Sequence, residues 1–307
     1  MERDLSLTAA DGLRLSGTLT LPDGDGPHPA VLLLMPGQYD RDGNLAKAPT
    51  LLGAPLAAAL AAKGVATYRY DRRGVGATPG DWRATGFYQH RADAAAALRE
   101  LAGLPEIGAV GVAGYSEGSL HAAALGAHEG AAAVVMISGH TKTGEETLLW
   151  WAAMKDAEGL SWPMRLLARL FGRGTLRGLA ARLTARIKAT KGDVARLYGF
   201  TIPARSMREF LTYDPKTDLA EVRVPLLAVT GAKDVQVDPA DLDTLAAVVP
   251  GPAEVRRVPD LTHLLRRDPG PASQRTYGRQ YAKPVDQTLI EEVAAWIAAR
   301  LATRSPH

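Results

Sequence analysis

Alternating strand-like and helix-like signals predict an α/β fold, a mostly parallel sheet flanked by helices on both faces. Three observations carry the prediction. Five runs, at 30–35, 64–70, 109–113, 131–137 and 225–230, are apolar on both faces, as strands buried in a parallel sheet are. Most of these runs close on Gly, Pro or Asp. Helical periodicity occupies 55–63, 88–102, 119–128 and 240–248, and returns at 287–302 after the last strand signal.

The first element is an expected hairpin. Leu13, Leu15, Thr18, Leu19 and Leu21 give a period-2 stretch, with a turn at Asp11-Gly12 before it and Pro22 after. The β-α alternation then continues until residues 141–213, which lack any strand-like run. That segment carries helical patterns instead: Leu166, Leu167, Leu170 and Phe171, then Leu176, Leu179, Leu183 and Ile187. The expected organisation is a core of residues 1–140 and 214–307 with a helical cap inserted at 141–213.

Composition narrows the function classes. The 307 residues are 46% apolar and 22% charged, which excludes disorder of the whole chain, and a formal charge of +3 does not by itself imply a nucleic-acid partner. The absence of cysteine rules out a disulfide frame, a thiolate zinc site and a cysteine nucleophile. Any nucleophile must then be Ser, Thr, Asp, Glu or Lys. No basic stretch followed by an apolar one opens the sequence, and no apolar run approaches spanning length, so a soluble cytoplasmic protein is expected. Neither G-x-G-x-x-G nor G-x-x-x-x-G-K-[ST] nor H-E-x-x-H occurs, and no cofactor or metal is expected.

In such sheets, sites form beyond the carboxyl ends of the strands. The run 109–113 leads into Gly114-Tyr115-Ser116-Glu117-Gly118 and then a helix-compatible stretch, so G-x-S-x-G sits between strand and helix. Such a turn is sharp and strained, and it lifts the serine hydroxyl clear of the sheet. The Glu117 N–H then lies at a helix N-terminus, where dipole and unpaired donors favour an oxyanion. A serine needs a base, and the base an orienting acid. Asp234 follows the run 225–230, and His263 lies 29 residues further on, after the short strand-like stretch 254–258.

The order Ser, Asp, His and these motifs resemble the α/β-hydrolase superfamily, and more narrowly bacterial carboxylesterases and related serine hydrolases with a G-x-S-E-G elbow. Further segments carry the resemblance: Pro36-Gly37-Gln38 with Asp40-Arg41-Asp42-Gly43-Asn44, Tyr70-Asp71-Arg72-Arg73-Gly74-Val75-Gly76, Tyr213-Asp214-Pro215, and Gly231-Ala232-Lys233-Asp234 with Val237. The resemblance implies Ser116 as nucleophile, His263 as general base and acid, and Asp234 as its orienting carboxylate. It implies the Gln38 and Glu117 backbone N–H groups as oxyanion hole. Two departures stand out. Pro36-Gly37-Gln38-Tyr39 replaces a common Gly-Ser-Gly, and Ser119 stands where a further glycine is common after the elbow.

Other polar residues have simpler readings. Of seven histidines, His28 and His307 are expected in a turn and a tail, and His90, His121 and His128 as packing or surface residues on helices. His140 ends an apolar run and could line the pocket or stand in as base. Asp214, Asp238, Asp241 and Asp260 are rival acids in turn or cap sequence. Asp71, Arg72 and Arg73 suit an ion-pair network better than an anion grip. Asp40, Asp42 and Asn44 lack the terminal Glu of a calcium loop and read as a hydrogen-bonded loop supporting Gln38.

The small net charge is a difference of opposites. Residues 141–213 contain 13 Lys plus Arg and 6 Asp plus Glu, a formal +7, which leaves −4 for the rest. Leu148, Leu149, Trp150, Trp151, Trp162, Met164 and Phe171 could line an acyl pocket or simply fix the cap to the core. A basic amphipathic helix can lie on an anionic membrane, but its apolar face is expected to be spent against the core, so no stable membrane association is expected. The reading is an acyl-enzyme hydrolase of small carboxylic esters, since a +7 cap repels the ammonium an aminopeptidase must hold. Amide or peptide hydrolysis and a non-catalytic ligand receptor on the same fold remain alternatives. No oligomeric state follows.

Overall fold

The computed structural model describes residues 1–45 and 48–302; His307 lies outside them. Six strands come first: β1 (Glu2–Thr8), β2 (Arg14–Thr20), β3 (His28–Leu34), β4 (Ala66–Tyr70), β5 (Ile107–Tyr115) and β6 (Val134–Ile137). A separate short pair follows, β7 (Ala195–Leu197) and β8 (Phe200–Ile202), and then β9 (Leu226–Gly231) and β10 (Ala253–Val258). The main sheet has eight strands in the order β1-β2-β4-β3-β5-β6-β9-β10. β2 is antiparallel to both neighbours and every other pairing is parallel.

The helices are α1 (Gly53–Ala61), α2 (Phe87–Ala102), α3 (Glu117–His128), α4 (Gly144–Glu158), α5 (Trp162–Phe171), α6 (Leu176–Lys188), α7 (Ala204–Thr212), α8 (Pro215–Leu219), α9 (Asp241–Val248), α10 (Tyr277–Gln280) and α11 (Gln287–Ala302). The alternation of side chains splits each central strand between two apolar layers. From β3, Ala30, Leu32 and Leu34 enter the layer shared with α2, α3 and α9, whereas Val31 and Leu33, with Met35 just after the strand, pack with α1 and α11. The two-sided apolar runs of the sequence are thus the two-sided burial of a parallel sheet. His28 opens β3 rather than lying in a turn.

Between β6 and β9 the chain forms α4 to α8 and the β7–β8 pair. Thr143 and Glu146 cap α4 reciprocally. Here the structure departs from the all-helical expectation, because β7 and β8 form a hairpin. Its turn, Tyr198-Gly199, has φ of +49° and +83°, the two positive values of a tight hairpin turn. Three residues per strand are too few to register as alternation. α7 packs against α2 of the core as well as α4 and α6.

Arginines tie the antiparallel edge of the sheet to its centre. Arg73 binds Asp93 of α2 through Nε (2.6 Å) and Nη2 (2.7 Å), and Asp11 of the β1–β2 turn through both Nη atoms at 2.7 Å. Arg41 holds Asp71 (2.7 Å), and the buried Arg69 reaches Asp42, Thr20 and Glu2. Burial raises the Asp93 carboxyl above its ordinary value even with Arg73 beside it. Removing the arginine strands that carboxyl in the core. Arg73→Met is therefore expected to cost about 3–5 kcal/mol in urea unfolding, and a loss below about 1 kcal/mol would show that this pairing adds nothing.

Candidate active site

Ser116 is the single residue between β5 and α3, and its backbone has φ +52° and ψ −122°. A non-glycine residue held there is strained and persists only where its surroundings over-determine it. They do so here. The Ser116 N–H donates to Ile137 O (2.8 Å), and Ser116 O accepts from the N–H (3.0 Å) and hydroxyl (2.6 Å) of Ser119.

The flanking glycines are steric requirements. A Cβ on Gly114 would lie 2.1 Å from Gly118 O, and one on Gly118 would lie 2.2 Å from Leu34 O. β5, α3 and β3 thus converge more closely than any side chain permits. Ser119 is fully buried, and a Cβ on Gly139 would lie 2.6 Å from its Oγ. The bulk gained at 119 is matched by the bulk missing at 139.

Asp234 and His263 meet at 2.8 Å, Oδ2 to Nδ1, with both side chains almost completely buried. The other Asp234 oxygen accepts the N–H groups of Gln236 (2.8 Å) and Val237 (3.0 Å). The His263 loop is fastened from below. Tyr115 OH donates to His263 O (2.8 Å), and the buried Arg266 donates to Thr50 O (2.7 Å) and Leu264 O (2.6 Å). Thr262 donates to Gln280 of α10 (2.6 Å). Ser116, Asp234 and His263 follow the carboxyl ends of β5, β9 and β10, with β6 lying between β5 and β9 in the sheet. The Ser116 hydroxyl makes no hydrogen bond to the imidazole among the described residues.

Gln38 lies in a turn closed by Tyr39 N–H to Pro36 O (3.1 Å), with Gly37 at φ +49°. The backbone N–H groups of Gln38 and Glu117 find no protein acceptor among the described residues. Both residues line one pocket of about 150 Å³, together with Arg72, His90, Met207 and Phe210. The loop beneath Gln38 is held as the sequence suggests, with Asp40 accepting from Asp42 N–H (2.9 Å), Asn44 N–H (2.8 Å) and Asn44 Nδ2 (2.9 Å).

The Glu117 carboxylate meets Arg72 Nη2 at 2.9 Å and His121 Nε2 at 3.5 Å. Burial alone would raise this carboxyl, but Arg72 and His121 outweigh it and hold it below the ordinary glutamate range. Arg72 Nη1 and both His121 ring nitrogens are buried without a hydrogen-bond partner. Burial depresses His121 to about 4 and pushes His90 and His140 down as well.

The rival residues are engaged elsewhere. His140 Nδ1 lies 2.7 Å from Lys142 O and 3.2 Å from Thr147 Oγ1. Lys142 bridges Asp238 (2.9 Å) and Asp241, Asp214 caps α8, and Asp260 pairs with Lys233 (2.9 Å). The apolar residues of 141–213 are also placed differently from expectation. Leu148, Leu149, Trp151 and Met164 surround the insertion's own small core of Ala152, Leu176 and Ala180, while Trp162 and Phe171 are exposed. Met207 and Phe210 of α7 line the pocket instead. Their only sequence signal is an apolar i, i+3 pair.

This sheet order, with its helices on both faces and a serine on the turn after β5, defines an α/β hydrolase. The chain belongs to the serine aminopeptidase S33 family, whose model matches residues 52–270. It is 24% identical over 300 residues to esterase EstD of Thermotoga maritima, an alignment covering 96% of this chain and 67% of that protein. Est1E of Butyrivibrio proteoclasticus, solved with ferulic acid, superposes with a TM-score of 0.65 at 15% identity, covering 98% of this chain and all of that one. The α/β hydrolase GrgF of Penicillium sp. sh18 gives 0.65 at 17% identity, over 98% of this chain and 99% of that one. No helix among the described residues is long and apolar enough to cross a membrane.

The buried histidines make stability depend on pH. His121 titrates near 6.5 when unfolded and near 4 when folded, so unfolded chains bind the proton first as pH falls. Its neutral form supports the fold above pH 6.5, and that support is lost on acidification toward pH 4. Unfolding by urea at pH 7.5 and pH 5 is expected to show His121→Leu losing less stability on acidification than the parent, by on the order of 1–3 kcal/mol. Equal losses would place the acid sensitivity elsewhere.

Proposed function

We propose that the protein hydrolyses small carboxylic esters through an acyl-enzyme, with Ser116, His263 and Asp234 as catalytic triad and the Gln38 and Glu117 N–H groups as oxyanion hole. The observation that carries this reading is the strained Ser116 turn. It sets Ser116 beside the unpaired N–H of Glu117, and Gln38, whose N–H is also unpaired, lines the same pocket as Glu117. His263 takes the Ser116 proton as the hydroxyl attacks the ester carbonyl, then delivers it to the leaving alcohol. Water repeats the sequence on the acyl-enzyme and releases the acid. Asp234, anchored by two backbone N–H groups, keeps the Nδ1 proton on His263 and balances the imidazolium. A serine–histidine hydrogen bond of this kind commonly tightens only in the substrate complex.

Esters are favoured over peptides by the cap and by the pocket. The insertion carries +7, and the one carboxylate on the pocket wall that we place beside the nucleophile, Glu117, is already committed to Arg72. Neither offers a seat for a substrate ammonium. The names of EstD and Est1E agree with this choice, whereas the family's title points to peptides. We read residues 141–213 as a cap over the site, on the strength of α7 lining the pocket while packing on α2.

Two measurements test the proposal. Ser116→Ala is expected to abolish turnover of p-nitrophenyl esters and stoichiometric labelling by a fluorophosphonate, with acyl esters preferred over aminoacyl arylamides by the parent. Undiminished turnover in the variant would remove Ser116 from the chemistry, a preference for arylamides would favour peptide hydrolysis, and folded parent that takes no label would favour a ligand receptor. Asp234→Asn is expected to lower kcat at least about a hundredfold, because an amide can hold the wrong imidazole tautomer. Near-normal kcat would move the acid role to another residue.

A further inference from the structure

Helix α5 does not spend its apolar face on the core. Only Ala168 is buried on it, and Met164 packs on the insertion's small core. Trp162, Leu166 and Leu170, spaced four apart on one stripe, are 72%, 50% and 62% exposed. Leu167 and Phe171 widen the stripe, and the β7–β8 hairpin extends it. Tyr198 rests against Phe171 at 5.9 Å between ring centroids, and Phe200 beside it is 74% exposed. The expectation that this face is buried is therefore corrected, and with it the reason for discounting a membrane.

The charge around the face is one-sided. From Gly159 to Gly192 the chain has eight Lys plus Arg and no Asp or Glu. Arg165 and Arg169 flank the apolar stripe, Arg173 follows its end, and none of the three has an ion-pair partner among the described residues. We propose that this face of the insertion docks on an anionic lipid surface, with the Trp162, Leu166 and Leu170 stripe entering the headgroup boundary and the arginines meeting lipid phosphates.

Charge selects this occupant over a second copy of the chain. A twofold interface would bring the same surface against itself, setting unpaired arginines against unpaired arginines. An anionic surface answers both halves of the face at once, because apolar burial and cation attraction add. α5 spans about 15 Å, a length suited to lying in the interface rather than crossing a bilayer.

The test is vesicle co-sedimentation of the full chain, which needs no turnover and so stands apart from the ester reading. The protein is expected to bind phosphatidylcholine vesicles containing about 30% phosphatidylglycerol at least about tenfold more tightly than pure phosphatidylcholine, and to lose that advantage in high salt. Leu166→Glu/Leu170→Glu and Arg165→Gln/Arg169→Gln/Arg173→Gln are each expected to weaken binding about tenfold or more. Circular dichroism and urea unfolding would report that the variants are folded. No binding to either vesicle, equal binding to both, or full binding by folded variants would overturn the proposal. A dimer in light scattering that Leu166→Glu/Leu170→Glu dissolves would assign the face to a second copy instead.

Discussion

The site is organised by the close approach of three backbones at the end of β5. Gly114 and Gly118 bring that strand and α3 against β3 at distances no Cβ tolerates, and the residue between them is forced to positive φ. Burial of the two-sided apolar layers supplies the free energy that holds Ser116 there. Sheet packing and the Ser116 backbone geometry are one constraint. Because β3 supplies the facing carbonyl at Leu34, the same contact fixes where its following loop leaves the sheet, and so where Gln38 stands.

The elbow was legible because it is local. Strand, glycine, serine, glycine and helix follow within a dozen residues, and steric necessity shows in residue type. Asp234 and His263 were legible by a different route, as polar residues just past strands 29 residues apart. What stayed hidden depends on packing between distant segments. Nothing in the sequence around Ser119 announces that Gly139 makes room for it, and the placement of Arg72 against Glu117 spans 45 residues. The β7–β8 hairpin escaped because three residues cannot display a period, although Tyr198-Gly199 carried the turn.

The insertion shows the same limit. Its apolar residues were visible, but periodicity marks only that a face is apolar, not what covers it. Met164 went to the interior and Trp162 to the surface from neighbouring positions on one helix. The residues that reach the pocket, Met207 and Phe210, sit on α7, which packs on α2. Position in the chain close to the return into β9 puts α7 there.

Glu117 poses the sharpest electrostatic problem. A carboxylate next to the proposed nucleophile would raise the energy of the oxyanion that its own N–H is meant to hold. Arg72 resolves the conflict, since its guanidinium meets that carboxylate at 2.9 Å and draws the negative charge away from the turn. The pairing has a second effect. Burial, helped by Arg72, outweighs the pull of the ionised Glu117 on the buried His121, whose depression to about 4 keeps it neutral at physiological pH. Arg72 and Glu117 then offset each other at close range, so that the proposed oxyanion would meet chiefly the α3 dipole and the two N–H groups.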